Sequence, residues 1–179
     1  MEIPTEFIQV FPLIGSRIGG QIVYVRFYNL TQWPVDIIWM RSAATPTKYA
    51  TLKKQQWIDI QTYEGHPWIF RRSLDGAPMV INQEEIFWPQ PVARNYIVRN
   101  SLFITTPLMS LAELSARRLL LPGSTFDQNQ FLGLPPRLKS LIITIKAQEK
   151  AYRASSVKIP MPVEPRNRPP PAAPNPGQR

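Results

Sequence analysis

Apolar and polar residues alternate in short runs through the first two-thirds of this chain, and only then settle into a helical rhythm. Between Gln21 and Asn29, Val23, Val25 and Phe27 alternate with Ile22, Tyr24, Arg26 and Tyr28, the period of a strand with one face buried. Val35–Met40, Trp57–Gln61, Pro67–Arg72, Met79–Ile81, Ile86–Trp88 and Tyr96–Thr105 are further short apolar runs. Turn-prone pieces such as SAATPT and YEGHP separate them, and Asp75-Gly76 marks a hairpin. About seven strands at this spacing predict a β-sandwich or barrel over residues 17–107, after an N-terminal extension over 1–16.

The rhythm changes after Pro107. Ser110 and Glu113 fit a Ser-x-x-Glu capping box that opens a helix carrying Leu111, Leu114 and Leu119 to Leu121, with Pro122-Gly123 as its stop. The polar stretch from Ser124 to Gly133 has room for a turn of helix around Phe126 and Phe131. Leu134-Pro135-Pro136 opens a second helix, in which Leu138, Leu141, Ile142 and Ile145 recur at helical spacing to about Ala151. A helical unit over 108–153 is too small for a core of its own and should dock on the sandwich or on another protein. From 154 onward the chain holds 8 of its 20 prolines and almost no aliphatic residues, so a disordered, extended tail is expected.

Composition narrows the chemistry. A hydrophobic fraction of 44% in 179 residues supports a real core, and no run has the apolar length of a membrane span. The start MEIPTEFIQVF has acids where a secretory signal needs bases, so no signal peptide is expected. With no cysteine, disulfides, thiol chemistry and Cys-based zinc sites are excluded. The net charge of +9 is partly a property of the tail, and elsewhere falls in scattered pairs such as Lys53-Lys54 and Arg117-Arg118. Nucleic-acid binding then rests on charge alone, and a solvated basic surface is the better reading.

His66 is the single histidine, and every nucleophile–base pair would hang on it. The chain is accordingly read as non-catalytic, with no metal or cofactor. Binding suits the residues better. Trp39, Tyr49 and Trp68 offer flat apolar walls, while Thr62 and His66 offer a hydroxyl and an imidazole. Such a mixture fits a small group that is apolar on its faces and carries one hydroxyl or amide. A methylammonium cage completed by Asp59 or Glu64 is the minor alternative.

Those residues fall in a pattern that resembles the von Hippel–Lindau tumour-suppressor family: FYNLTQWPVDIIW at Phe27–Trp39, Tyr49 with Thr51-Leu52, TYEGHPWIFR at Thr62–Arg71 and VINQEEIFWP at Val80–Pro89. The resemblance implies a β domain that grips a 4-hydroxyproline peptide of hypoxia-inducible factor α. Trp39, Tyr49 and Trp68 would wall the ring, Thr62 and His66 would bind its hydroxyl, and Gln61 and Tyr63 would meet flanking residues. It also implies an elongin C-binding box at Ser110, Leu111, Leu114, Ser115 and Leu119, with elongin B behind it. A cullin-facing element would comprise Leu134, Pro135, Leu138 and Leu141. The family has serine at Thr62, histidine at Gln61 and cysteine at Ser115, and its last helix, which returns to the sandwich, has the Pro-rich tail in its place. The implied protein is the cytoplasmic and nuclear substrate receptor of a cullin–RING ubiquitin ligase. A β-sandwich peptide- or carbohydrate-binding module without ligase partners is the other reading.

Overall fold

The structure, a computed structural model, describes residues 9–42, 45–92, 99–125 and 127–155. The Pro-rich tail, Phe126 and the start of the last expected strand lie outside these. Eight strands come first: β1 Ile22–Asn29, β2 Val35–Met40, β3 Pro46–Leu52, β4 Trp57–Tyr63, β5 Trp68–Arg72, β6 Pro78–Met79, β7 Ile86–Phe87 and β8 Arg99–Ile104. They form two sheets, one ordered β4-β1-β8 and one β3-β2-β5-β6, with β7 also pairing with β5. The inward side chains of both sheets meet in one core, in which Val25, Phe27, Ile58 and Ile104 face Val35, Ile37, Leu52 and Phe70. The mainly β sandwich with a small helical part is thus the observed fold.

Strand β3 was not among the expected strands, because Pro46, Thr47 and Lys48 read as turn and polar surface. It forms as the edge partner of β2, across a register irregularity at Ile37/Ile38. Strands β2 and β5 are buried almost throughout. Their second face carries Ile38, Met40 and Ile69, which pack against Val10, Phe11, Ile14 and Tyr152. Residues 10–14, read as an extension, therefore cover one side of the sandwich, and a strand covered on both faces loses its apolar–polar alternation.

The helices are α1 Leu111–Leu119, α2 Gln128–Gly133 and α3 Pro136–Ala154. Ser110 caps α1 by accepting from the Glu113 N–H at 3.2 Å, but Glu113 turns its carboxylate to Arg117 at 3.0 Å, so only half the expected box forms. A complete reciprocal box stands instead at Asp127 and Gln130 on α2. Helices α1 and α3 share a core of Ala116, Ile142 and Ile145, with only partly buried residues around it.

One end of α3 returns to the sandwich. The Tyr152 hydroxyl donates to buried Asp36 at 2.6 Å, and the same carboxylate accepts from Thr51 at 2.6 Å and Ser73 at 2.5 Å. Burial, and then the Asp36 charge, push the Tyr152 phenol far above its ordinary value. Gly76 permits this docking twice over. Its φ of +71° suits the turn after Asp75, and a Cβ there would sit 2.4 Å from the Tyr152 ring. The return to the sandwich is thus made by the second predicted helix, not by an additional one.

Candidate functional site

Antiparallel pairing of β2 with β5 puts Trp39 opposite Trp68. Trp68 is 3% exposed, and its indole N–H donates to the Thr62 hydroxyl at 3.0 Å. Thr62 lies on β4, so this bond joins the two sheets at one end of the sandwich. Burial alternates along β4, with Ile58, Ile60 and Thr62 inward and Gln61 and Tyr63 exposed. The Thr62 oxygen is thereby held by the indole, while its own proton has no acceptor among the described residues.

Tyr49 on β3 stands edge-on to Trp68, ring centroids 5.6 Å apart at 79°. His66 stacks on Trp39 at 5.4 Å and 22°, and the Tyr63 ring lies 5.2 Å from the imidazole. The turn that delivers His66 is closed by its N–H to the Tyr63 carbonyl at 3.1 Å, with Gly65 at φ +79°. Burial holds the imidazole below its ordinary value of 6.5, so it is neutral at neutral pH, with one nitrogen donating and the other accepting. Trp39 is fixed from behind, its indole N–H donating to Ser16 Oγ at 2.8 Å while that hydroxyl donates to the Met40 carbonyl at 3.1 Å. Ser16 was not singled out from the sequence, since a serine between Gly15 and Arg17 carries no local signal.

Thr62, Trp68 and Tyr49 thus form one set of contacts and Trp39, His66 and Tyr63 another, brought together by the cross-strand pairing of Trp39 with Trp68. Gln61 is exposed, on the other side of β4 from Thr62. Three rings, an oriented hydroxyl and a neutral imidazole can hold a flat aliphatic ring and both donate to and accept from its hydroxyl. Among the described residues no group of three His, Asp or Glu side chains could hold a metal ion.

The helical candidates divide. Leu111 is 80% exposed and Leu114 50%, with Leu108 at 88% just ahead of the helix, and Ser115 is half-buried. Leu119 instead packs into the α1–α3 core, as do Leu134, Leu138 and Leu141, leaving Pro135 exposed.

The VHL beta domain family matches residues 13–95, a stretch that contains β1 to β7 and the whole pocket. Residues 13–95 are thus similar to the VHL beta domain. Over 110 residues the chain is also 30% identical to Protein Vhl of Drosophila melanogaster, an alignment covering 56% of this chain. It spans 62% of the fly protein, somewhat under two-thirds of that relative's length. Ser16 falls inside the VHL match, so the prop behind Trp39 belongs to the β domain and not to an appendage.

Proposed function

We propose that this protein is the substrate-recognition subunit of a cullin–RING E3 ubiquitin ligase. It is non-catalytic, works in cytoplasm and nucleus, and takes 4-hydroxyproline-bearing hypoxia-inducible factor α to ubiquitination. The pyrrolidine ring lies between Trp39, Tyr49 and Trp68, Thr62 donates to its hydroxyl oxygen, and neutral His66 accepts the hydroxyl proton. Elongin C, carrying elongin B, takes the exposed Leu111 and Leu114 face of α1, and the cullin approaches the Pro135 end of α3. The observation that supports the reading is the Trp68–Thr62 bond, which occupies one lone pair of a buried hydroxyl and leaves its proton free to donate to a ligand. A pocket so built leaves polar groups unpaired when the ligand hydroxyl is missing, which can discriminate by about 10⁴-fold.

Calorimetry with a hydroxyproline peptide and its proline twin tests this. The hydroxylated peptide should bind far more tightly, and His66→Ala or Thr62→Val should each remove on the order of 1–3 kcal/mol of that preference. Equal binding of the two peptides by the unaltered protein would remove the assignment.

A further inference from the structure

Beside the pocket lies a second cleft of about 470 Å³, lined by Arg17, Ile18, Gly19, Glu64, Gly65, Trp88 and Gln90. The two sites adjoin along the chain. Ser16, which props Trp39, precedes Arg17, and Gly65 precedes His66. The Arg17 N–H donates to the Gly65 carbonyl at 3.0 Å, and the Glu64 N–H donates to the Gln21 carbonyl at 2.9 Å. Gly20 allows this crossing, since a Cβ there would fall 2.4 Å from the Glu64 carbonyl oxygen.

Arg17 is set in place within this crossing. A Cβ on Gly65 would lie 3.2–3.6 Å from its methylenes, so its stem rests on the glycine, and its guanidinium sits 5.5 Å over the Trp88 ring. Arg26, Arg72 and Arg117 each hold a carboxylate; Arg17 holds none among the described residues, although Glu64 lines the same cleft. An oriented cation without a counter-ion, one residue away from each wall of a peptide pocket, is a docking point for a carboxylate.

We infer that Arg17 reads an acidic side chain of the bound peptide, lying within about four residues of the hydroxyproline, each extended residue advancing about 3.3 Å. This inference rests on the hydroxyproline reading of the adjoining pocket. Glu64 opposes the acid and tempers the preference.

A panel of hydroxyproline peptides, with a single glutamate or lysine moved through the flanking positions, tests it by fluorescence anisotropy at low and high salt. At one position glutamate should bind about five- to tenfold tighter than lysine, and salt should shrink the gap. Arg17→Gln should abolish the gap and Arg17→Glu should reverse it at that position. Glu64→Gln should widen it. All three variants should keep the preference for hydroxyproline over proline, and the two Arg17 variants should also keep the melting temperature, because Arg17 is exposed. A charge response that survives Arg17→Gln, or that is the same at every position, overturns the cleft while leaving the pocket standing. An unaltered protein that ignores the hydroxyl overturns the pocket, and the cleft with it.

Discussion

The pocket end of the sandwich and the outer face of α1 are opposite kinds of surface. In the pocket, Trp68 and Thr62 are almost wholly buried and already bonded to each other, and Trp39 is propped by Ser16. On α1, Leu111 and Leu114 stand in solvent while the inner side of the same helix rests on a core of three fully buried residues. The first surface is finished before any ligand arrives, so a ligand need only complete its hydrogen bonds. The second carries exposed leucines on a marginal core, the condition of a helix that gains stability from a partner. Substitutions should therefore affect folding and binding together in the pocket, and separately on the helix.

The largest effect is expected at Trp68. Replacing it with alanine empties a site in contact with Phe27 and Tyr49 and strands the Thr62 hydroxyl. A buried tryptophan truncated to alanine costs roughly 3–5 kcal/mol, so Trp68→Ala should lower the urea midpoint sharply and end peptide binding. A loss below about 1 kcal/mol would mean that the pocket wall is not part of the core, and the contrast with α1 would fail.

Leu111→Ala should give the converse pattern. Its side chain is mostly in water, so the unfolding free energy of the isolated chain should change by less than about 0.5 kcal/mol. Elongin C capture should fall by about 2 kcal/mol or more, as for an anchor residue at an interface centre, with hydroxyproline-peptide affinity unchanged. Leu119→Ala, by contrast, should destabilise the helical module, since Leu119 packs inside it. Pull-downs in which Leu111→Ala retains full elongin C binding would show that the exposed face is not the docking surface.

This division of α1 marks where sequence stopped being informative. Leu111, Ser115 and Leu119 lie four residues apart and read as one stripe, but α3 covers the Leu119 end and leaves the Leu111 end open, a tertiary choice that spacing cannot disclose. The sandwich strands were legible where one face alone is buried, as in β1. Strand β3 was not, because its polar residues sit on an edge and only its pairing with β2 makes it a strand. The pocket residues were legible through their fixed order along the chain, whereas Ser16 and Arg17 acquire a role only when Gly20 lets their segment cross the His66 turn. The Asp36–Tyr152 bond, 116 residues apart in the chain, left no local trace at all.

The smallest and most selective effect concerns pH. His66 is the single histidine of the chain, and burial holds its imidazole below 6.5. Above that value the ring is neutral both folded and unfolded, so its contribution to stability is complete. As pH falls below 6.5 the unfolded chain takes up the proton first, and the contribution is lost toward the lower folded value. Ligand binding should follow the same direction, because only the neutral ring can accept the hydroxyl proton. Peptide affinity should be flat from pH 8 to 7 and should weaken once pH falls below the lowered value of the imidazole, approaching tenfold per unit where the ring must lose a proton to bind. Thr62→Val should lower affinity but keep the slope, whereas His66→Asn should flatten it. The α1 face carries no histidine, so elongin C binding should not change over the same interval. A pH-independent peptide affinity in the unaltered protein would mean that His66 serves only as an aromatic wall against Trp39, leaving Thr62 as the sole polar contact to the hydroxyl.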